Sequence, residues 1–210
     1  MTTIQNSPNV LVACEFSGVV RDAFRDEGFD AVSCDLRETE RNPEYHIKGD
    51  ILEVLEERGE EFDLMIAHPP CTYLSNSGVR WLYEKEKRWQ DMVEGGVFFR
   101  KLLNCEKIPH IAVENPVMHK WGKKVAGIED YPDELQQTVQ PWQFGEPEKK
   151  GICLWLKDLP KLEPTDVIED EDEREARVHE MPPSEKRSKE RSRFFPGVAE
   201  AMAKQWGAVI

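Results

Sequence analysis

Apolar residues along this chain alternate between short continuous runs and longer stretches in which they recur every three or four positions. Residues 9–14, Asn-Val-Leu-Val-Ala-Cys, form the first run. Glu15-Phe16-Ser17-Gly18 breaks it, and Val19, Val20, Ala23 and Phe24 return at helical spacing, which predicts strand, turn and helix. Gly28 closes that helix, and 29–34 predicts a second strand ending at Asp35. Tyr45-His46-Ile47-Lys48 predicts a third strand that stops at Gly49-Asp50, followed by a helix over 51–58 and a fourth strand over 62–67. Over 81–103 the apolar positions Trp81, Leu82, Trp89, Met92, Val93, Val97, Phe98 and Leu102 predict a long amphipathic helix interrupted at Gly95-Gly96. His110-Ile111-Ala112-Val113 predicts the next strand and 151–156 a later one. A terminal helix over 197–206 presents Val198, Ala201, Met202 and Gln205 on one side. This succession of β-α units predicts an α/β fold, with a mainly parallel sheet and helices on both faces, as one domain over 1–210.

Composition narrows the setting. The 210 residues are 39% hydrophobic, enough for one sizeable core, and no apolar run approaches the ~20 residues of a membrane span. With no basic flank or apolar stretch near residue 1, a cytoplasmic location and no membrane contact are expected. Five cysteines, odd in number and never paired as C-x-x-C, argue for reduced thiols and against a zinc site or other metal centre. A net charge of −13 confines any contact with nucleic acid to local basic patches. The charge is uneven near 164–193, where Glu169-Asp170-Glu171-Asp172-Glu173 is acidic and 184–193 is rich in Lys and Arg. The acidic half is expected to be a solvated loop, and the basic half is a candidate for lying along a phosphate backbone.

The stretch richest in chemistry is His68-Pro69-Pro70-Cys71, directly after the fourth predicted strand. Proline has no N–H to give a central ladder, so the strand ends there and Cys71 projects from its carboxyl edge. That edge is where open α/β sheets display reactive groups, so Cys71 is a candidate nucleophile, whereas Cys14, Cys34 and Cys153 are expected to be buried small hydrophobes. The run 110–113 ends in Glu114-Asn115-Pro116, so a carboxylate at a second strand end is a candidate to face the same cleft. Burial there would favour its acid form, with Asn115 and Pro116 shaping the turn that holds it.

Taken in order, Phe16-Ser17-Gly18, Asp35, Asp50, Pro69-Pro70-Cys71, Glu114-Asn115-Pro116, Phe144-Gly145-Glu146-Pro147-Glu148-Lys149-Lys150 and Phe195-Pro196-Gly197-Val198-Ala199 resemble the motif series of the DNA (cytosine-5-)-methyltransferase family, its compact phage-encoded members in particular. The resemblance runs over nearly the whole chain. It implies a Rossmann-like fold that binds S-adenosyl-L-methionine and transfers a methyl group to carbon 5 of cytosine in DNA. The chemistry asks for the same residue types: a thiolate adds at carbon 6 and can leave again, and a protonated carboxyl at N3 neutralises the charge that develops. The expected catalytic residues are Cys71 and Glu114, with Lys150 as a positive charge for a phosphate or the base carbonyl.

Position suggests the cofactor set: Asp35 for the ribose hydroxyls, Asp50 for the adenine amine, Phe16 against adenine, with Ser17, Gly18 and Pro69 completing it. Asp50, just before Ile51, equally suits a helix cap. Pro70, Tyr73, Ser75, Asn115 and Lys149 are expected around the substrate, and Tyr73, Ser75 and Asn76 are candidates to close over an extruded base. The sequence departs from the family pattern in three places. Val19, Val20 and Arg21 stand where further glycines are common, and Lys149 and Lys150 replace the usual arginines, losing their planar fork. The large recognition region of sequence-reading members is also missing, which predicts short or weak sequence specificity. A free deoxycytidine nucleotide is the alternative acceptor, and a non-catalytic nucleotide- or protein-binding module the reading from another class. An adenine-N6 methyltransferase would carry an aromatic residue directly after Pro69-Pro70, and a dinucleotide oxidoreductase a G-x-G-x-x-G after the first strand.

Overall fold

The computed structural model describes residues 7–76, 82–84, 87–177 and 193–210. Seven strands form one sheet: β1 (Asn9–Ala13), β2 (Asp30–Asp35), β3 (His46–Lys48), β4 (Leu64–Ala67), β5 (His110–Asn115), β6 (Gln136–Val139) and β7 (Ile152–Lys157). Their order is β3-β2-β1-β4-β5-β7-β6. All pairs from β3 through β5 are parallel, whereas β7 runs antiparallel to both β5 and β6. The helices are α1 (Val19–Asp26), α2 (Ile51–Arg58), α3 (Lys87–Leu103), α4 (Lys120–Ala126) and α5 (Pro196–Trp206). No helix among the described residues is long and apolar enough to cross a membrane.

Side chains alternate across the parallel strands and supply two cores, one on each face. Val10, Val12, Leu64, Ile66 and Ala112 point to the face where Val20 and Phe24 of α1 meet Val198, Met202 and Trp206 of α5. Leu11, Ala13, Met65, Ala67, Ile111 and Val113 point to the other, under Val54 of α2, Met92 and Phe99 of α3 and Ala126 of α4. Trp206 alone, fully buried, with its indole N–H donating to the Pro160 carbonyl at 2.9 Å, contributes on the order of 2–3 kcal/mol of apolar burial.

The predicted strands and helices are present with ends shifted by a residue or two. The helix expected over 81–103 is observed as Lys87–Leu103, and its first residues, Trp81, Lys85 and Glu86, lie outside the described set. Gly95 and Gly96 do not interrupt it. A Cβ on Gly96 would stand 2.5 Å from Val125 Cγ2 and 2.8 Å from the Val125 carbonyl carbon, so the glycine lets the backbone of α4 cross directly over α3.

Candidate active site

The pairing of β4 with β5 is the foundation of the site. Its last matched residues are Ala67 and Val113, and one step further His68 and Glu114 emerge on the face shared by Ile66 and Ala112. There His68 Nδ1 lies 3.4 Å from Glu114 Oε2, an ion pair when the imidazole is protonated and a hydrogen bond when it is neutral with Nδ1 as donor. The His68 ring packs 4.7 Å from Phe194, and its backbone N–H donates to the Ala13 carbonyl at 2.9 Å, extending the sheet by one bond before the prolines end it. Pro69 is buried and Pro70 exposed.

Cys71 follows, half-exposed, at the head of a tight turn whose Leu74 and Ser75 N–H groups both donate to its carbonyl, at 3.1 and 3.0 Å. The turn is laced to the segment after Glu114. Ser75 bridges Met118, the Asn76 N–H donates to Val117 at 3.1 Å, and the His119 N–H donates to Leu74 at 2.9 Å. The nucleophile candidate and the acid candidate therefore leave adjacent strands and are bound into one unit by the loops that carry them. Ser75 is buried in this bridge, and Tyr73 is half-buried with the Arg88 guanidinium 4.4 Å from its ring.

Asn115 is the last residue of β5 and pairs with Cys153 of β7, so it belongs to the ladder and not to the following turn. It is fully buried, yet neither atom of its side-chain amide has a hydrogen-bond partner among the described residues; the same is true of His68 Nε2. Pairing with Cys153 turns the Asn115 side chain to the face of Val113 and Trp155, away from Glu114, so His68 Nε2 is the unsatisfied buried atom on the side of the carboxylate.

The carboxyl ends of β1 to β3 make a second acidic edge. Cys14 sits there with φ +59, and its thiol is held far above the ordinary range by desolvation and then by the carboxylates of Asp35 and Asp50. Desolvation and the same two carboxylates push Cys34 up to about 11. One oxygen of Asp35 accepts the Arg37 N–H at 2.9 Å, and Asp50 caps α2 by accepting the Leu52 N–H at 2.9 Å. Phe16 is buried, with the Arg37 guanidinium 5.1 Å from its ring, and Gly18 takes the left-handed conformation, φ +69, at the start of α1. The Ser17 hydroxyl is buried and donates to Glu15 Oε1 at 3.1 Å; that carboxylate also accepts the N–H groups of Val20 and Arg21, in the place where glycines are common in the family pattern.

The two remaining motifs come together. Glu146 accepts the Gly197 N–H at 2.8 Å, and desolvation holds its carboxyl above the usual range. Lys150 Nζ lies 5.3 Å from the Phe195 ring centre, the residue that opens α5. Lys149 is exposed, its N–H donating to Glu175 at 2.7 Å. The acidic stretch expected as a solvated loop is exposed but docked. Thr165, Asp166 and Ile168 donate to Gln143 and Trp142, Glu175 donates to Pro147, and Arg174 stacks 3.8 Å over Trp142. Most of the basic half, 184–192, lies outside the described residues; Arg193 makes two hydrogen bonds to Glu40, at 2.8 and 3.0 Å.

Sequence reasoning passed over His68 as a functional residue and all of α4. The signal for His68 was its place one residue past a strand whose neighbour ends in Glu114. For α4 it was the density of lysines and tryptophan in Lys120-Trp121-Gly122-Lys123-Lys124. No group of His, Cys, Asp and Glu among the described residues could hold a metal ion.

The architecture is the Rossmann-like fold of methyltransferases. It is similar to the solved structure of the Entamoeba histolytica methyltransferase EhMeth, with a TM-score of 0.50 and 14% identity, over 78% of this chain and 58% of that one. A triple mutant of DNMT2 from Spodoptera frugiperda aligns with a TM-score of 0.43 at 15% identity, over 77% of this chain and 54% of that one. The S. pombe Dnmt2 methyltransferase aligns at 0.45 and 13%, over 71% and 49%. This chain thus spans between about half and three fifths of the length of these structures. No protein-family model and no curated protein matches the sequence.

Proposed function

We propose that the protein is an S-adenosylmethionine-dependent methyltransferase acting on carbon 5 of cytosine in DNA. The observation that carries this reading is the lacing of the Cys71 turn to the segment after Glu114, at the carboxyl ends of two neighbouring parallel strands. The thiolate of Cys71 adds to carbon 6 of the ring, and the electron pair displaced from the 5,6 double bond makes carbon 5 nucleophilic. Glu114, protonated, donates a hydrogen bond at N3 and offsets the charge that arises there, while His68 holds its carboxyl in place as a positioning residue. With carbon 5 methylated by a bound donor, its proton would pass to a water molecule, the electron pair of the broken C–H bond would rebuild the 5,6 double bond, and the thiolate would leave. Lys150 supplies a positive charge toward the base carbonyl or a neighbouring phosphate.

The carboxyl edge of β1 to β3 fits the cofactor: Asp35 for ribose hydroxyls, Asp50 for an exocyclic amine, and Phe16 for the adenine plane. S-adenosylmethionine supplies, when bound, a methyl group on a sulfonium and therefore an electrophile. The fit is not free of competing duties, because Asp50 also caps α2 and Ser17 is occupied with Glu15.

The test uses S-adenosylmethionine carrying a labelled methyl group and three acceptors: duplex DNA, single-stranded DNA and deoxycytidine phosphates. Transfer to either DNA, with a denaturant-stable adduct on DNA carrying 5-fluorocytosine that Cys71→Ser abolishes, is the expected result. Transfer only to the nucleotides would reassign the acceptor. Cofactor binding without transfer to any of the three would remove the catalytic reading.

A further inference from the structure

The chain carries an exposed aromatic and cationic face that the catalytic machinery does not use. Tyr83 is 76% exposed, its ring centre 6.0 Å from that of Trp89, which in turn stands 6.1 Å from Trp121 on α4. Lys120 and Lys124 bring their ammonium groups to 5.1 and 5.8 Å from the Trp121 ring. In a protein with a net charge of −13, Lys120 and Lys124 stand one helical turn apart with no carboxylate ion-paired to either among the described residues, while Lys123 lies on the other side of α4, toward Thr138 and Cys153. Lysines four residues apart repel, so the cluster works against the helix that bears it. The face also adjoins the site: the residue before α4, His119, donates to Leu74 in the Cys71 turn, and Arg88 of α3 donates to the Thr72 carbonyl at 3.0 Å.

Resting on the reading proposed above, we infer that the face built by Tyr83, Trp89 and Trp121 with Lys120 and Lys124 binds unpaired DNA on the strand that carries the target cytosine. Charge complementarity selects a polyanion, since these are unneutralised cations on an acidic protein. The rings select one with open base faces, because stacking on an aromatic side chain is sequence-tolerant and requires a base already out of its duplex stack. Removing a cytosine from its stack exposes the faces of its neighbours, so a platform beside the Cys71 turn meets bases that the flipping event itself makes available. This surface positions the strand without reading sequence.

The measurement is fluorescence anisotropy of a labelled single-stranded oligodeoxynucleotide with the full chain, in a Cys71→Ser background so that no covalent step contributes. The expected binding weakens as salt rises. The double variant Lys120→Gln, Lys124→Gln is expected to bind about fivefold more weakly at low salt, with a log–log salt slope shallower by about 1.4. Tyr83→Ala is expected to weaken single-strand binding while leaving the weaker duplex binding unchanged. Unaltered affinity and slope in the double variant, with its thermal melt unchanged, would overturn the inference. Tighter binding of RNA of the same sequence would overturn the choice of DNA. Lysine-dependent binding by a wild-type chain that forms no adduct would support the surface and remove the catalytic reading, whereas adduct formation indifferent to the two lysines would do the reverse.

Discussion

Gly122 of α4 lies against the main chain of Leu74, so close that a Cβ in its place would stand 2.6 Å from the Leu74 carbonyl oxygen. That oxygen also accepts the His119 N–H, and the turn it belongs to begins at Cys71. The geometry of the thiol is therefore set partly by how tightly α4 can approach.

Gly122→Ala should cost about 1–3 kcal/mol, because the new methyl meets backbone and not a side chain that can swing away. Thermal unfolding would show the loss as a melting point several degrees lower. Adduct formation on 5-fluorocytosine DNA should slow beyond what the fraction unfolded explains. An unchanged melting point would mean that the contact between α4 and the turn is loose.

Cys71→Ser should leave stability within about 0.5 kcal/mol of wild type, since the side chain is half-exposed at a turn. Methyl transfer should fall on the order of 10⁴-fold or more, as expected when a covalent nucleophile is lost. Urea unfolding beside single-turnover transfer separates the two effects, and a modest loss of rate would remove Cys71 from the chemistry.

Asn115→Leu should raise stability by about 1–2 kcal/mol, because it replaces a buried amide with no partner by an apolar group of similar size. Methyl transfer should change little, because that side chain stands on the face of the sheet away from Glu114. Destabilisation in urea titrations would show that the amide is satisfied within the folded chain.

Asp35 and Asp50 separate cofactor binding from helix capping. Asp50→Ala should cost about 1 kcal/mol through the loss of the α2 cap, and Asp50→Asn should restore most of it. Titration calorimetry with S-adenosylmethionine should show both Asp35→Ala and Asp50→Ala weakening affinity. A normal Kd for the stable Asp50→Asn chain would reduce that residue to a cap.

The buried Cys34 thiol makes stability fall in alkali. It ionises near 9.0 in the unfolded chain and at about 11 in the native one, so its contribution is fully present below the unfolded value and is lost as pH rises to the folded value. The loss between about pH 9 and pH 11 should be roughly 2–3 kcal/mol. Urea midpoints measured across that window should decline, and Cys34→Ala should make the decline shallower, the remainder coming from the raised Cys14 thiol; equal slopes for the two chains would place the Cys34 thiol in contact with water.

Where the sequence made the fold legible, a local signal coincided with burial. The helix over 51–58 was readable because Asp50 caps it, and the central strands because they are buried on both faces and hence apolar throughout. β6 was not, since Gln136-Gln137-Thr138-Val139 shows neither an apolar run nor alternation and is held by its pairing with β7. α4 has seven residues and no apolar stripe, and the close contact of Val125 with Gly96 that seats it is a tertiary fact. The acidic stretch docks through backbone hydrogen bonds to 142–149, which composition does not encode. Cys71 and Glu114 were visible from the prolines and the strand ends, whereas the approach of His68 to Glu114 depends on the register of two strands forty-six residues apart.

The packing of α5 on α1 carries a consequence for how the molecule is made. The face of the sheet under α1 cannot become dry before Val198, Met202 and Trp206 arrive. A nascent chain that already holds its central strands must therefore wait for the segment 196–206 to emerge, with a wet hydrophobic surface open to chaperones and proteases. Long-range closure of this kind is slow relative to local helix formation, so refolding should be limited by that docking step.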